Sequence, residues 1–396
     1  MPTAAFERFV SQRLAEINRG ALPPSHVLQG PQAHRVRIDD RDIIMLASNN
    51  YLGLADDPRV VQASKDALDR WGAGLGCGRG IVSMQIQLEL EERLARFKKA
   101  GASLVFPTGY DTNLGTVWTL TDEGTTLVCD EFNHPSVFDG AKMSGAKVRT
   151  YPHSDMEGLA RELKGAEKEK GERLMVITPS IFPLEGDIAN LPEIVELAER
   201  NGAPIYTDDA HAVGVLGHQG RGIVDHFGLH GRVDVQAGTL SKALGSVGGY
   251  IAGSGELREY LFRKARPFSQ STGHLAPPSV AAVIACLDTL EKDDSLLREL
   301  WANASHMRDG LRARGFDTGR SATPIIPVIL KDGGLTLRFS EELFKEGVLV
   351  HPFIPPSVPA QTARLRVIVS ARHTKEELEL ALERFAKVGR RLGVAR

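Results

Sequence analysis

The chain has 396 residues, of which 42% are apolar, and its 48 basic residues nearly balance its 50 acidic residues. This length predicts two associated domains, since domains usually span about 100 to 200 residues. The balanced charge, without a long run of lysine or arginine, argues against nucleic-acid and membrane-surface partners and favours small molecules. Three scattered cysteines, Cys77, Cys129 and Cys286, argue against a disulfide framework and indicate a reducing compartment.

Apolar side chains recur at helical spacing near the N-terminus and predict a short amphipathic helix that contains Phe6, Phe9, Leu14 and Ile17. Charged residues interrupt this stretch, so we expect neither a signal-type apolar segment nor a membrane span. With the reducing compartment, this indicates a cytoplasmic protein.

The middle of the chain alternates β-rich runs such as SLVFP, TLVCD, LMVITPS and PIYTDD with helical segments, which predicts an α/β fold with a parallel sheet. One of these helices, QLELEERLARFKKAG, is expected to end at Gly101. After about residue 290 the pattern changes to an α+β type, with a loop at 351–359. We therefore predict an N-terminal helix with small strands over 1–50, a large domain over 51–288 and a smaller α+β domain over 289–396.

The segment GTLSKALGSVGGY at 238–250 places Lys242 just after a strand, among small residues. Burial there would lower the pKa of the lysine, because the ammonium form loses hydration, and a neutral amine can condense with an aldehyde. By itself the segment is equally compatible with a structural role.

A second strand, PIYTDDAHAVG, ends in Asp208 and, three residues later, His211. A carboxylate held against a pyridine nitrogen keeps that nitrogen protonated, which pyridoxal 5′-phosphate (PLP) needs to act as an electron sink. His211 could hydrogen-bond the phenolic oxygen of PLP or the Asp208 carboxylate. The same residues could instead bind a metal, although no further histidine or carboxylate cluster supports that reading.

The segment FPTGYDTNLG joins a strand to a helix, and the backbone N–H groups of Thr108, Gly109 and Tyr110 could form a phosphate site there. His134 follows another strand, where it could stack on a flat ring or simply lie at the surface. Arg364 and Arg366 alternate on a strand, so either could bind a carboxylate, or both could form a solvated face.

In this order and spacing, these segments resemble the α-oxoamine synthase family of fold-type I PLP enzymes. The motifs that carry the resemblance run over nearly the whole chain: SNNYLGLADDP, TGYDTNLG, DEFNHPSVFDG, GDIANL, YTDDAHAVGVLGHQGRG, GTLSKALGSVGGYIAG, TPIIPV and ARLRVIVSARHT. The resemblance implies a mostly parallel seven-stranded sheet between helices, followed by a smaller α+β domain.

The resemblance also implies a role for each motif residue. Lys242 would carry PLP as a Schiff base, Asp208 would face the pyridine nitrogen, and His211 would lie near the phenolic oxygen. His134 would stack on the ring and Thr239 would touch the phosphate.

Other residues are implied to bind the substrate or to complete the site across a subunit boundary. Arg366 would bind the amino-acid carboxylate, and Asn49 would lie near the substrate. The family builds its site between two subunits, so a homodimer is expected in which Ser271 and Thr272 reach the partner subunit's phosphate.

The implied reaction joins an amino acid to an acyl thioester, on CoA or an acyl carrier protein, in a Claisen-type condensation. Most members lose the α-carboxylate as carbon dioxide and form an α-amino ketone, whereas acetyl transfer to glycine can keep the acid. The main alternative is a PLP lyase, decarboxylase or aminotransferase, or an enzyme that uses a non-thioester electrophile. A catalytically silent subunit is disfavoured because Lys242 is present.

The sequence departs from the family pattern at four positions. Gln87 stands where a histidine is usual, and Pro179 stands where the family has an acidic residue. Pro183 replaces a serine that would hydrogen-bond the phenolic oxygen, and proline has no donor to offer. The additional His274 follows the Ser271–Thr272 pair. We therefore expect Gln87 and His274 to contact an unusual substrate.

Overall fold

The computed structural model describes residues 3–16, 25–167 and 173–395. The helices α1 to α14 are, in chain order, Ala4–Glu16, Pro58–Trp71, Gln85–Phe97, Gly109–Leu120, Pro135–Ser144, Met156–Glu167, Leu191–Arg200, Ile223–His226, Gly255–Lys264, Arg266–Ser269, Pro277–Lys292, Ser295–Ala313, Gly333–Lys345 and Lys375–Arg391. The strands β1 to β13 are Arg35–Ile38, Arg41–Met45, Ala102–Phe106, Thr125–Asp130, Lys147–Tyr151, Arg173–Pro179, Ile205–Asp208, Val235–Thr239, Gly249–Gly253, Ile325–Lys331, Val348–Leu349, His351–Phe353 and Ala363–Ile368.

The large sheet has seven strands in the order β3-β9-β8-β7-β6-β4-β5. Strand β9 pairs antiparallel with both of its neighbours, and the other pairs are parallel. Successive residues of β4 enter different cores, since Leu127 packs on one face of the sheet and Val128 on the other. Helices therefore cover both faces, as expected for a buried parallel sheet, and the predicted α/β architecture is confirmed.

Two smaller sheets lie outside the large one. Strands β10, β13 and β12 form an antiparallel sheet, whereas β11 adds in parallel to the β1–β2 hairpin. Ile44 from β2 shares a core with Val328, Phe339 and Val367, so the first strands pack with the C-terminal part of the chain. The domain boundaries at residues 50 and 288 stay a prediction.

Helix α3 differs from its prediction, because it ends at Phe97 and not at Gly101. The Lys98 side chain turns inward, fully buried, to form an ion pair of 2.5 Å with Asp209. Lys99 then takes a positive φ of 51° that breaks the helix. A tertiary ion pair therefore sets this helix end, before the glycine is reached.

The predicted N-terminal helix and the predicted loop at 351–359 are each found in part. The N-terminal helix forms over Ala4–Glu16 with Phe6, Phe9 and Leu14 exposed, whereas Ile17 falls outside the described residues. The predicted loop at 351–359 begins with the short strand β12. Within the ranges 3–16, 25–167 and 173–395, no helix has the length and apolar character needed to cross a bilayer.

Candidate active site

The carboxyl ends of three neighbouring parallel strands bring Pro179, Asp208 and Thr239 to one edge of the large sheet. Strand β4 ends at the same edge, and its following loop leads to His134. Ligands of open α/β sheets bind beyond the carboxyl ends of their strands. The predicted site residues therefore meet where the topology favours binding.

A cavity of about 330 Å³ opens at this edge, a size typical of small-molecule sites. It brings together eight of the residues singled out in the sequence, namely Thr108, Gly109, Tyr110, His134, Asp208, His211, Thr239 and Lys242. These residues come from four separate segments of the chain, and folding makes them neighbours.

Lys242 provides an amine that is poised to lose its proton. Burial lowers the pKa of this lysine to about 8; the Asp208 carboxylate opposes that shift, and the Arg366 guanidinium adds to it. A substantial share of the amine is therefore neutral near physiological pH, as nucleophilic and proton-transfer chemistry requires.

The two adjacent aspartates have different surroundings. Asp208 lines the cavity and accepts hydrogen bonds from Asn113 Nδ2 at 2.7 Å and from the backbone N–H of Ala210 at 2.8 Å. Asp209 instead pairs with Lys98 and accepts a hydrogen bond of 2.5 Å from Ser180 Oγ, away from the cavity. Asp208 is thus the carboxylate available to a ligand, and Asp209 belongs to a buried structural network.

Asn113 holds Asp208 in place, a role that the sequence analysis missed. Its Nδ2 donates to Asp208 and, at 3.1 Å, to Ser136 Oγ, while its Oδ1 accepts a 2.6 Å hydrogen bond from the Tyr206 hydroxyl. Asn113 lies one helical turn after Gly109 in the TGYDTNLG motif. This spacing from Gly109 was the sequence signal that could have identified Asn113 as a site residue.

His211 contacts Tyr51 and not Asp208. Its Nδ1 lies 2.7 Å from the Tyr51 hydroxyl, whereas the oxygens of Asp208 are engaged by Asn113 and Ala210. Burial, with the nearby charges of Lys242 and Arg366, holds the pKa of His211 well below its usual value. His211 is therefore a neutral imidazole, and Tyr51 is a second residue that the sequence analysis missed.

His134 caps helix α5 and faces the cavity. Its Nδ1 lies 2.7 Å from Ser136 Oγ and accepts a hydrogen bond from the Ser136 backbone N–H. Burial lowers the pKa of this histidine, and the nearby Lys242 charge acts in the same direction, although Asp208 opposes it. The imidazole is thereby held, uncharged, in the cavity wall.

Helix α4 begins at the cavity, with Thr108 as its N-cap. A Cβ on Gly109 would lie 2.9 Å from Thr239 Oγ1, so only glycine lets the helix start approach Thr239 this closely. The Tyr110 hydroxyl donates to Asp139, and its ring is partly exposed. The helix start thus presents backbone N–H groups beside a threonine hydroxyl, an arrangement that suits a phosphate group.

A second cavity of about 490 Å³ adjoins the first and shares Lys242, His211 and His134 with it. Asn49 and Arg366 line this cavity. Arg366 donates a hydrogen bond of 3.3 Å to the Pro183 carbonyl, and its buried Nε has no partner among the described residues.

The neighbouring arginine is engaged elsewhere. Arg364 forms an ion pair of 2.8 Å with Glu185. Of the twin arginines on β13, Arg366 is therefore the one placed to receive a carboxylate.

Within this chain, the structure does not bring four of the predicted site residues to the cavities that Lys242 lines. Gln87 donates a hydrogen bond to the Leu275 carbonyl at 3.0 Å, and His274 Nε2 lies 3.1 Å from the Val105 carbonyl. Ser271 and Thr272 come shortly before His274 in the chain and lie outside both cavities. Their predicted contacts with substrate or with a partner subunit's phosphate stay predictions.

The departures from the family pattern give the cavity an apolar wall. Pro179, Ile181 and Pro183 line it, and Ser180 turns its hydroxyl to Asp209. Because proline side chains donate no hydrogen bond, this wall offers no side-chain donor at these three positions.

The donor set fits PLP. The buried Asp208 carboxylate and the Lys242 amine, whose pKa is lowered, face one cavity. The start of helix α4, where Gly109 permits close approach, lies beside them. In the part of the chain that the structure describes, no group of three or more His, Cys, Asp or Glu residues is placed to hold a metal ion.

Comparison with known proteins identifies the family. Residues 41–385 match the family described as aminotransferase class I and II. The chain is 48% identical over 388 residues to 8-amino-7-oxononanoate synthase from Thermoanaerobacter pseudethanolicus, covering 98% of each. It is also 48% identical over 377 residues to the enzyme of that name from Symbiobacterium thermophilum, covering 95% of each.

The fold also matches a solved structure that contains the cofactor. Serine palmitoyltransferase from S. paucimobilis, solved with a bound PLP–myriocin adduct, superposes with a TM-score of 0.90 at 30% identity, and the match covers 99% of each chain. The chain therefore belongs to the aminotransferase class I and II family of PLP-dependent enzymes and, within it, to the α-oxoamine synthases, acyltransferases that condense an amino acid with an acyl thioester.

Proposed function

We propose that the two cavities form one active site for the decarboxylative condensation of an amino acid with an acyl thioester. The observation that carries this proposal is the Lys242 amine, with its pKa lowered to about 8, in one cavity with the Asp208 carboxylate. When bound, PLP supplies an aldehyde that condenses with amines and a protonated ring that withdraws electrons from the substrate α-carbon.

Each cavity residue then has a defined task. With PLP bound, the Asp208 carboxylate would face the ring nitrogen, and His211 would offer a neutral imidazole to the phenolic oxygen. His134 would pack on the ring face, while Thr239 and the helix start at Thr108–Tyr110 would hold the phosphate. The Lys242 Nζ would accept the proton that leaves the substrate α-carbon and would return a proton to that carbon after carbon dioxide has left.

The second cavity is proposed to receive the substrates. Arg366 binds the amino-acid carboxylate, and Asn49 contacts the substrate beside it. The carbon–carbon bond forms between the α-carbon and the acyl carbonyl carbon, the carbon–sulfur bond breaks, and the thiol and carbon dioxide leave. In the first cavity, the apolar wall of Pro179, Ile181 and Pro183 limits the access of water to the neighbouring Lys242.

The name of the relatives suggests the substrates. An 8-amino-7-oxononanoate carries an amine beside a ketone and ends in a carboxylate. Alanine and a heptanedioyl thioester would give this skeleton after loss of the amino-acid carboxylate. We propose this pair first, on CoA or an acyl carrier protein, in a cytoplasmic homodimer whose Ser271 and Thr272 reach the partner subunit's phosphate.

A substrate matrix tests the proposal. Protein reconstituted with PLP is incubated with alanine, glycine or serine and with heptanedioyl-CoA, acetyl-CoA or palmitoyl-CoA, and thiol and carbon dioxide are measured. We expect steady thiol release matched by carbon dioxide, fastest with alanine and heptanedioyl-CoA. Carbon dioxide or amino-group exchange without thiol release from any acyl-CoA would instead identify a decarboxylase, lyase or aminotransferase.

A further inference from the structure

His153 forms a buried bridge between two acidic residues beside the active site. Its Nδ1 lies 3.2 Å from Asp130 Oδ2 and its Nε2 lies 3.0 Å from Asp187 Oδ2, with the histidine side chain 9% exposed. Both ring nitrogens can donate hydrogen bonds to the two carboxylates only when each nitrogen carries a hydrogen. The geometry therefore requires the imidazolium form.

Two aromatic side chains fix the plane of this ring. Phe132 stacks on His153 with centroids 4.9 Å apart, and Phe182 contacts it edge-on at 4.2 Å. Each phenylalanine comes from a loop that one of the two aspartates organises. The bridge thus joins the loops through both charge and packing.

The first of these loops carries His134. Asp130 ends strand β4 and accepts hydrogen bonds from the backbone N–H groups of Phe132 at 2.9 Å and Ser154 at 2.8 Å. The next residue, Asn133, donates to the Ile177 carbonyl at 2.8 Å. His153 is therefore connected to the turn that places His134 in the cavity.

The second loop carries the opposite wall. The Phe182 backbone N–H bonds to the Asp187 carbonyl at 3.1 Å, closing a turn that contains Pro183 and Glu185. Pro183 accepts a hydrogen bond from Arg366, and Glu185 pairs with Arg364. A displacement of Asp187 would therefore also move the segment that contacts Arg364 and Arg366.

We propose that His153 is a positioning residue that couples the His134 loop to the Pro183–Glu185 loop, and so sets the width of the active site. This inference rests on the proposed function of the cavity. His153 touches neither cavity itself, so its effect passes through the two loops.

The surrounding charges define the pH range of this coupling. Asp130 and Asp187 face the ring, Glu131 accepts a hydrogen bond from the His153 backbone N–H, and Glu185 lies within electrostatic range. Burial lowers the pKa of His153, but the bonds to Asp130 and Asp187 outweigh it and raise the pKa to about 9. The bridge should be intact at neutral pH and weaken as the pH rises through about 9.

The first test uses apoprotein, so it does not depend on turnover or on the proposed reaction. We expect the nitrogen NMR signals of His153 to report an imidazolium at pH 7 and to titrate near pH 9. A titration midpoint below pH 7 would overturn the proposal.

The second test compares His153→Gln with His230→Gln, which alters a histidine paired with Asp225 outside both cavities. In apoprotein, hydrogen exchange of 131–134 and 181–187 should accelerate together, about tenfold, only in His153→Gln. Unchanged exchange, or acceleration of one loop alone, would contradict the coupling.

With any substrate pair that turns over, His153→Gln should raise KM about tenfold at pH 7 with a smaller change in kcat. The difference from wild type should shrink above pH 9, where wild type also loses the bridge. A KM ratio that does not change with pH would argue against positioning by the imidazolium.

Discussion

Tyr51 Oη and His211 Nδ1 are 2.7 Å apart, and this contact engages one of the two ring nitrogens of a histidine that lines the cavity. Burial raises the pKa of Tyr51, so the phenol keeps its proton. We expect this O–H to donate to Nδ1, in which case a neutral His211 carries its hydrogen on Nε2. Nε2 would then be a donor for the phenolic oxygen of bound PLP.

Tyr51→Phe should remove this control of the tautomer. We expect kcat/KM to fall at least tenfold and the free energy of unfolding to fall by about 1–2 kcal/mol, since Nδ1 loses its partner. Tyr151→Phe is the matched control, because the Tyr151 hydroxyl is buried without a hydrogen-bond partner among the described residues. Urea unfolding and steady-state kinetics measure both; equal effects of the two substitutions would contradict the role of Tyr51.

The adjacent aspartates should separate catalysis from stability. Asp208→Asn keeps the shape of the side chain but removes the charge that faces the ring nitrogen, so activity should fall by about 100-fold or more with little loss of stability. Asp209→Asn leaves the buried Lys98 ammonium without its counter-ion, which should cost about 3–5 kcal/mol of stability. Thermal unfolding and activity per folded molecule check this; a reversed pattern would exchange the two assignments.

Lys242→Ala should abolish covalent attachment of PLP. We expect the visible band of the reconstituted protein to change to that of free cofactor, and borohydride to leave no label on the 238–250 peptide. An unchanged spectrum and activity would refute the role of Lys242.

The lowered pKa of Lys242 predicts a pH profile in the wild-type apoprotein. Only the neutral amine reacts with acylating reagents, and its fraction rises with pH through a pKa of about 8. Labelling of Lys242 should therefore be half-maximal near pH 8, whereas ordinary lysines reach that point near pH ~10.4. Peptide mass spectrometry after brief labelling measures it, and a midpoint near pH 10 would contradict the burial.

Acid should destabilise the protein through His274. Burial lowers the pKa of this histidine to about 4, below the roughly 6.5 expected when the chain is unfolded. Between about pH 4 and pH 6.5 the unfolded state therefore binds more protons than the folded state. The contribution of His274 to stability is full above about pH 6.5 and is lost as the pH falls toward about 4. Between pH 7 and 5 the loss from this residue should be about 2 kcal/mol.

His274→Gln keeps a donor for the Val105 carbonyl and removes the titrating group. The variant should lose correspondingly less stability between pH 7 and 5 than wild type in urea unfolding. If wild type and variant lost the same free energy of unfolding, the pKa of His274 would be the same in the folded and the unfolded protein.

Local sequence was sufficient for the α/β class and for placing Lys242, Asp208 and His134 at strand ends. Strand and helix periodicity is a short-range property, and a lysine, a carboxylate and a glycine-bearing helix start each indicate their chemistry within a few residues. Parallel strands then bring such ends to one sheet edge, and the cavity confirms that these residues meet.

Only the tertiary structure decided which long-range contacts tune these groups. Tyr51 reaches His211 across 160 residues, and Asn113 reaches Asp208 across 95 residues. The pairing of Arg364 with Glu185, and the end of helix α3 at Phe97, depend equally on distant partners. Such contacts follow from which strands are neighbours and from the direction of each side chain, and neither is encoded in the spacing of residues along one segment.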